Sequence, residues 1–254
     1  MDLLKFSTAN AKLGPRLIFS LPSGYTCPFA GVCKTMADRH TGKIIDSPQV
    51  SDDSVLDFRC FSAMSEVRPN VREARWYNWE LIKKTLQTKD MPVSQLAELI
   101  NESILMQQPK RKDPYKLCRI HEGGDFWSLQ YLKAWLLVAR WNPDIRFYAY
   151  TKSLMMWYNV RNIIPFNFYL TASAGGTLDY LIKKYPNIYK RAAYVVYTEE
   201  EAARRGLEID HDDEHCFGNK HFALLVHGSQ RAGSDAMKAL TKRKKAGSFV
   251  GYHK

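Results

Sequence analysis

Three cysteines stand where thiol chemistry is easiest to build. Cys27 and Cys33 bracket the loop CPFAGVC, which follows the apolar run RLIFSLP (16–22), and Cys60 returns later in RCFSAMSE. Pro28 and Gly31 interrupt any helical or strand period between the first two thiols, leaving a loop that can wrap a metal or a cluster. A Cys-x5-Cys spacing is not among the compact zinc spacings, so the pair alone leaves iron and zinc both open. Three thiolates around a four-iron four-sulfur cluster leave one iron for a substrate or cofactor, whereas four suit a structural zinc or a closed cluster. Cys216, in DDEHCFG, is the candidate fourth ligand but stands in a charged loop far along the chain. Cys118 lies inside an apolar run and reads as a small core residue. Five cysteines, odd in number and thinly spread, fit reduced thiols or metal ligands better than a disulfide framework.

Other residues compete for the chemistry. Asp210, His211, Asp212, Asp213 and His215, in DHDDEH, have the ligand types for zinc or another divalent metal, although the segment reads first as an acidic surface loop that offsets nearby cations. His121, Glu122 and Asp125 leave the run YKLCRIHEGG (115–124) together, where charges are costly unless they face a ligand, a metal or one another. Asp125 reads first as the N-cap of a helix at 127–141, and His121 as a core histidine or a catalytic one. Gly123 and Gly124 permit close backbone approach to a cofactor. Tyr148, Tyr150 and Lys152 alternate along FYAYTKS, so they share one face, and Lys152 at its carboxyl end suits a phosphate or carboxylate. Ser173, Gly175 and Gly176, in TASAGG, are similarly placed for a cofactor. Arg68, Arg72 and Arg75 fall on one helix face with Trp76 and Trp79 among them, which reads either as a basic-aromatic surface for nucleic acid, to which Lys110, Arg111 and Lys112 add charge, or as a solvated helix face with the tryptophans in the core.

These residues must be positioned by a regular frame. Six β-rich runs recur, at 16–22, 115–124, 145–151, 166–173, 192–198 and 222–229, with helical periodicity between them at 64–86, 93–107, 127–141, 152–161, 176–184 and 199–206. Strand alternating with helix predicts an α/β protein of six βα units, a partial (βα)6 barrel or mainly parallel sheet with a helical insertion after the first unit. Ligands in such folds bind outside the carboxyl ends of the strands, where the Gly-Gly, Lys152 and Ser173 segments fall. One domain over 1–254 is expected, with 34–59 an excursion, 87–114 a helical and basic insertion, and 242–254 a flexible basic tail. The net charge of +11 attracts polyanions and fits a nucleotide, nucleic acid or other polyanion as partner, and equally a merely basic solvated surface. No run approaches the roughly 20 apolar residues that span a bilayer, and MDLLKFSTANAK lacks the apolar core of a signal peptide, so a soluble cytoplasmic protein is expected.

A thiol loop after the first strand and HEGGDF after the second resemble the order found in radical S-adenosylmethionine enzymes. That resemblance implies a four-iron four-sulfur cluster on Cys27, Cys33 and Cys60, and S-adenosylmethionine on the open iron. It also implies Gly123, Gly124 and Asp125 around the methionine part, and a reductant as partner. The usual Cys-x3-Cys-x2-Cys is absent, and Asp125 stands where the superfamily has glutamate. A second resemblance covers nearly the whole chain: NAKLG, FSLPSGYTCP, RCFSAMSE, RIHEGGDFWSLQYLKAW, NPDIRFYAYTKS, LTASAGG, EIDHDD and LLVHGSQRAGS look like the phage and prophage family named after gene product 88. It implies a viral or mobile-element origin, and within it Cys27, Cys33 and Cys60 match motif positions. The expected function is an iron–sulfur enzyme of the radical S-adenosylmethionine type acting on a nucleotide or nucleic acid. The alternatives are a metal-dependent nucleic-acid binding or nicking protein of phage replication with a structural zinc, and a phage DNA-binding protein without a reaction.

Overall fold

A computed structural model describes residues 2–10, 13–46, 57–110 and 113–247. The strands are β1 (Ser7–Asn10), β2 (Gly14–Phe19), β3 (Met36–Ala37), β4 (Ile44–Ile45), β5 (Leu117–Ile120), β6 (Arg146–Thr151), β7 (Phe168–Ser173), β8 (Ala192–Val196), β9 (Glu208–Ile209) and β10 (Phe222–Leu225). The helices are α1 (Pro69–Leu86), α2 (Pro92–Gln107), α3 (Leu129–Trp141), α4 (Leu154–Val160), α5 (Tyr180–Lys184), α6 (Glu199–Arg204) and α7 (Asp235–Lys245).

Six strands, β2, β5, β6, β7, β8 and β10, lie side by side in chain order and run parallel. Each is followed by at least one helix, so the six expected βα units are present, with α2 as the extra helix of the first. Neighbours in sequence being neighbours in space is the winding of a barrel rather than of a doubly wound sheet. The sheet is nevertheless open, with β1 antiparallel to β2 at one edge and β9 parallel to β10 at the other.

Side chains alternate across each strand, and the two faces of the sheet have different fates. Leu17, Phe19, Cys118, Ile120, Phe147 and Ala149 form one face and pack under α1 to α4 against Ile82, Ile100, Leu132, Trp135 and Trp157. The intervening residues, including Arg119, Tyr148 and Tyr150, turn the other way and line a cavity or its wall. A second small cluster joins Phe58, Val226, Ala236 and Leu240 with Val32 and Cys33, so α7 lies beside the thiol loop.

Several boundaries differ from expectation for identifiable reasons. The helix expected at 64–86 is a 3-10 turn, Ala63–Val67, followed by α1, because Arg68 precedes Pro69 and is extended at φ −77°, ψ 122°. Helix α3 starts after Ser128, whose hydroxyl accepts from the Tyr131 amide, and not after Asp125. Within the excursion at 34–59, β3 and β4 form a small hairpin. Lys242 to Lys245, expected in a flexible tail, are the last turn of α7, where cations favour the negative end of the helix dipole. Residues 248–254 lie outside the described residues, as do Arg111 and Lys112. No helix among the described residues is long and apolar enough to cross a membrane.

Candidate functional site

The chain leaving β2 turns sharply at Gly24, whose φ of +77° favours glycine and whose Cβ would meet the Met36 side chain at 2.3 Å. Short turns follow, Cys27 N to Gly24 O at 3.3 Å and Ala30 N to Cys27 O at 3.2 Å, and the Gly24 amide donates to Cys27 Sγ at 3.4 Å. The far side of the loop rests on the chain leaving β7. Ala30 bridges Gly176, Thr177 N donates to Phe29 O at 3.1 Å, and a Cβ on Gly31 would stand 2.5 Å from Gly175 O. Gly175 and Gly176 therefore seat the thiol loop, and their amides donate to the Asp179 carboxylate at 2.6 and 3.0 Å. Cys60 is tied to the same loop by its amide, which donates to Thr35 Oγ1 at 3.2 Å.

Cys27, Cys33 and Cys60 line one cavity with His121, Gly123 and Asp125, enclosing about 190 Å³ within a hollow of about 1230 Å³ that opens to solvent. None is in a disulfide. Burial, with Asp125 and Cys60 nearby, pushes the Cys27 thiol up, and burial with Cys33 beside it pushes Cys60 up to about 11. Without a cation the Cys27 and Cys60 thiols keep their protons at neutral pH. Cys118 and Cys216 are elsewhere: Cys118 packs among the helices, and Cys216 sits in the 3-10 turn Glu214–Phe217.

The HEGGD turn forms the next wall. His121 takes a left-handed φ of 66°, places Nε2 2.8 Å from the Tyr131 hydroxyl, and leaves Nδ1 buried without a partner among the described residues. Burial pushes its pKa down to about 3, so it is neutral. A Cβ on Gly123 would stand 2.4 Å from Ser62 Oγ and 2.6 Å from Arg75 Nη1, and one on Gly124 2.5 Å from Thr26 Oγ1. The double glycine is thus demanded by the chain's own close packing. Asp125 Oδ1 accepts from Thr151 Oγ1 at 2.5 Å and from the Phe126 amide at 2.7 Å, while Oδ2 accepts from the Lys152 amide at 2.8 Å. It latches the end of β5 to the end of β6, and burial still pushes its carboxyl up to about 6. Lys152 Nζ donates to Ser173 O and Oγ, each at 3.0 Å, and to Ala174 O at 2.6 Å, all neutral oxygens.

Across the cavity lie Arg119, Tyr150 and Asp213. Arg119 Nη1 donates to Asp213 Oδ2 at 2.8 Å, the Tyr148 hydroxyl to the same oxygen at 3.1 Å, and the Tyr150 hydroxyl to Asp210 Oδ2 at 3.2 Å. His215 closes the set, Nδ1 at 3.3 Å from Asp210 Oδ1 and Nε2 at 3.2 Å from Glu208 Oε2. The DHDDEH segment therefore turns Asp210 and Asp213 inward onto the protein's own donors and leaves His211 and Asp212 exposed. No group of three or more His, Cys, Asp or Glu among the described residues stands close enough to hold a single metal ion.

The basic face expected on α1 is turned inward. Arg72 is buried and donates to the carbonyls of Arg39, His40, Glu66 and Val67, and Arg75 is buried against Glu66 at 2.7 Å. Arg68 and Lys110 are exposed. Sequence reasoning missed Glu66 and Arg119; a lone arginine between apolar residues in LCRI was the available signal for the latter.

Comparison with known proteins agrees with the viral pattern. The "Gene 88 protein" of Mycobacterium phage L5 is 39% identical over 146 residues, 56% of this chain and 50% of the relative. That of Mycobacterium phage D29 is 32% identical over the same length and shares. The chain spans about half the length of these curated relatives. No solved structure matches. The family model described as Gene product 88 matches residues 3–248, and the chain belongs to the gene product 88 family.

Proposed function

We propose that this protein is an iron–sulfur enzyme of the radical S-adenosylmethionine type, acting on a nucleotide or nucleic acid. One observation carries the reading: Cys27, Cys33 and Cys60 share a cavity with the Gly123-Gly124-Asp125 turn, at the carboxyl ends of parallel strands wound in chain order. The donor chemistry fits. Three soft thiols line one cavity, and burial makes Cys27 and Cys60 unfavourable as thiolates unless a cationic group joins them. A single zinc needs its donors about 2.3 Å from one point, and thiols spread around one cavity suit a group several atoms wide. Cys27, Cys33 and Cys60 would hold three irons of a four-iron cluster. Such a cluster, with S-adenosylmethionine on its open iron, supplies reductive cleavage of that cofactor.

The chain's own residues bind, orient and exclude water. Asp125 fixes the glycine turn against β6, and the thiol loop closes over the chain leaving β7. Lys152 brings a cation, bound only to neutral oxygens among its hydrogen-bond partners, to the cofactor side. Ala193, Val195 and Leu224 give an apolar floor, and Arg119 with Tyr150 a polar wall, for the substrate. The test is iron, sulfide and zinc content with an absorbance spectrum, on anaerobically purified protein and on the Cys27→Ser, Cys33→Ser, Cys60→Ser triple variant. About four irons per chain, absent from the variant, support the reading and make S-adenosylmethionine cleavage the next assay. Zinc in place of iron, or equal metal in both proteins, overturns it.

A further inference from the structure

A single buried guanidinium on α1 touches the segments that carry two of the thiols and the glycine turn. Arg75 Nη1 lies 2.7 Å from Glu66 Oε1, 3.0 Å from Ser62 O and 3.4 Å from Ser23 Oγ. Its Nη2 stands 3.8 Å from Glu122 Oε2. Glu66 Oε1 also accepts from the Ser23 amide at 2.8 Å. Ser23 opens the loop of Cys27, Ser62 follows Cys60 by two residues, and Glu122 precedes the double glycine. The Gly123 Cα packs so closely that a Cβ would fall 2.6 Å from Arg75 Nη1. The Arg75 and Glu66 side chains are 4% and 0% exposed.

A buried pair of this kind is weak evidence for stability, since apolar side chains of similar volume often replace one without loss. What the arginine fork supplies is direction: several donors in one rigid plane, which the point charge of a lysine does not reproduce. We infer that Arg75, oriented by Glu66, is a positioning residue of the thiol site, fixing the Cys27 loop, the Cys60 segment and the Gly123-Gly124 turn relative to one another. The inference rests on the thiol-centred reading of the cavity above.

The test uses metal-free full-length protein and phenylarsine oxide, whose trivalent arsenic binds tightly only where thiols stand within reach of one another, with the triple serine variant as baseline. Arg75→Lys is expected to keep a cooperative thermal transition and to lose roughly 10–100-fold in arsenical affinity, the range for partners that orient ligands from behind. Arg72→Lys, at a buried arginine of the same helix whose partners among the described residues are carbonyls, is expected to leave the affinity within about twofold of wild type, a shift below RT. Should Arg75→Lys lose its transition, Glu66→Gln carries the same expectation. Wild-type affinity in a folded Arg75→Lys or Glu66→Gln protein overturns the inference, as does an equal loss in Arg72→Lys or a wild-type protein that takes up no more arsenical than the baseline. A wild type that binds the arsenical tightly when metal-free, yet holds no iron when purified anaerobically without metal removal, sinks the iron reading and leaves the positioning role standing.

Discussion

The acidic loop at 210–215 and the thiol loops at 27–60 border one cavity, and both carry side chains of metal-ligating type. They differ in who answers them. Asp213 has Arg119 and Tyr148, and Asp210 has Tyr150 and His215, so the buried carboxylates of the acidic loop are satisfied from within. The Cys27 and Cys60 thiols are instead pushed up by burial and by acidic neighbours, and His121 Nδ1, from a residue lining the same cavity, has no partner among the described residues. Residue type alone therefore does not distinguish a ligand site from a structural network; the source of the countercharge does.

The sharpest way to break this comparison is to remove a countercharge from the acidic side. Arg119→Met leaves the buried Asp213 carboxylate with tyrosine donors but no countercharge, and is expected to cost about 3–5 kcal/mol in denaturant unfolding. A loss below about 1 kcal/mol, the value of an exposed pair, would mean that the carboxylates there are not structurally answered. Gly123→Ala is expected to cost roughly 1–3 kcal/mol from overpacking, because its Cβ meets Ser62 and Arg75, and to lower bound metal in parallel; unchanged stability would disprove the close packing.

A pH titration sharpens the thiol side. His121 titrates near 3 folded, against about 6.5 unfolded, so between these values the unfolded chain holds the extra proton and stability falls as the pH falls. The slope from this group is about 1.4 kcal/mol per pH unit, and His121→Phe is expected to remove it. Asp125, raised to about 6, acts oppositely: its contribution is present below its unfolded value and is lost as the pH rises through 6. Only the difference between wild type and variant isolates the histidine, and identical pH profiles would show that His121 is not buried neutral. The smallest effect is expected at the exposed members of the acidic loop. His211→Ala and Asp212→Ala should each change stability by no more than about 0.5 kcal/mol and leave the metal content unchanged; loss of metal would restore this loop as a ligand site.

The six βα units were legible because alternation along a strand and the 3.6-residue period are local properties of the chain. That Cys27, Cys33 and Cys60 line one cavity was not legible locally, since it depends on where the chain leaving β7 stands. Asp125 and Ser128 are both good capping residues three positions apart, and the choice between them is made by Thr151 and Lys152, supplied from another strand. Arg72 and Arg75 have the spacing of a solvated basic face, and the same spacing serves carbonyls and Glu66 once α1 packs against the 3-10 turn. Arg119 was passed over because a strand written LCRI reads as core, although its third residue faces the cavity.

The seat of the thiol loop on Gly175 and Gly176 also sets an order in time. Ala30 and Gly176 are joined across more than half of the chain, a loop whose closure is slow because nothing rewards it until both ends are folded. During synthesis at about 5–20 residues per second, Cys60 leaves the ribosome roughly 6–25 s before Gly176 does. For that interval the three thiols are exposed on an incomplete fold, open to oxidation and to stray metal. A group bound by these thiols would therefore be best delivered after translation, to a cavity that already exists.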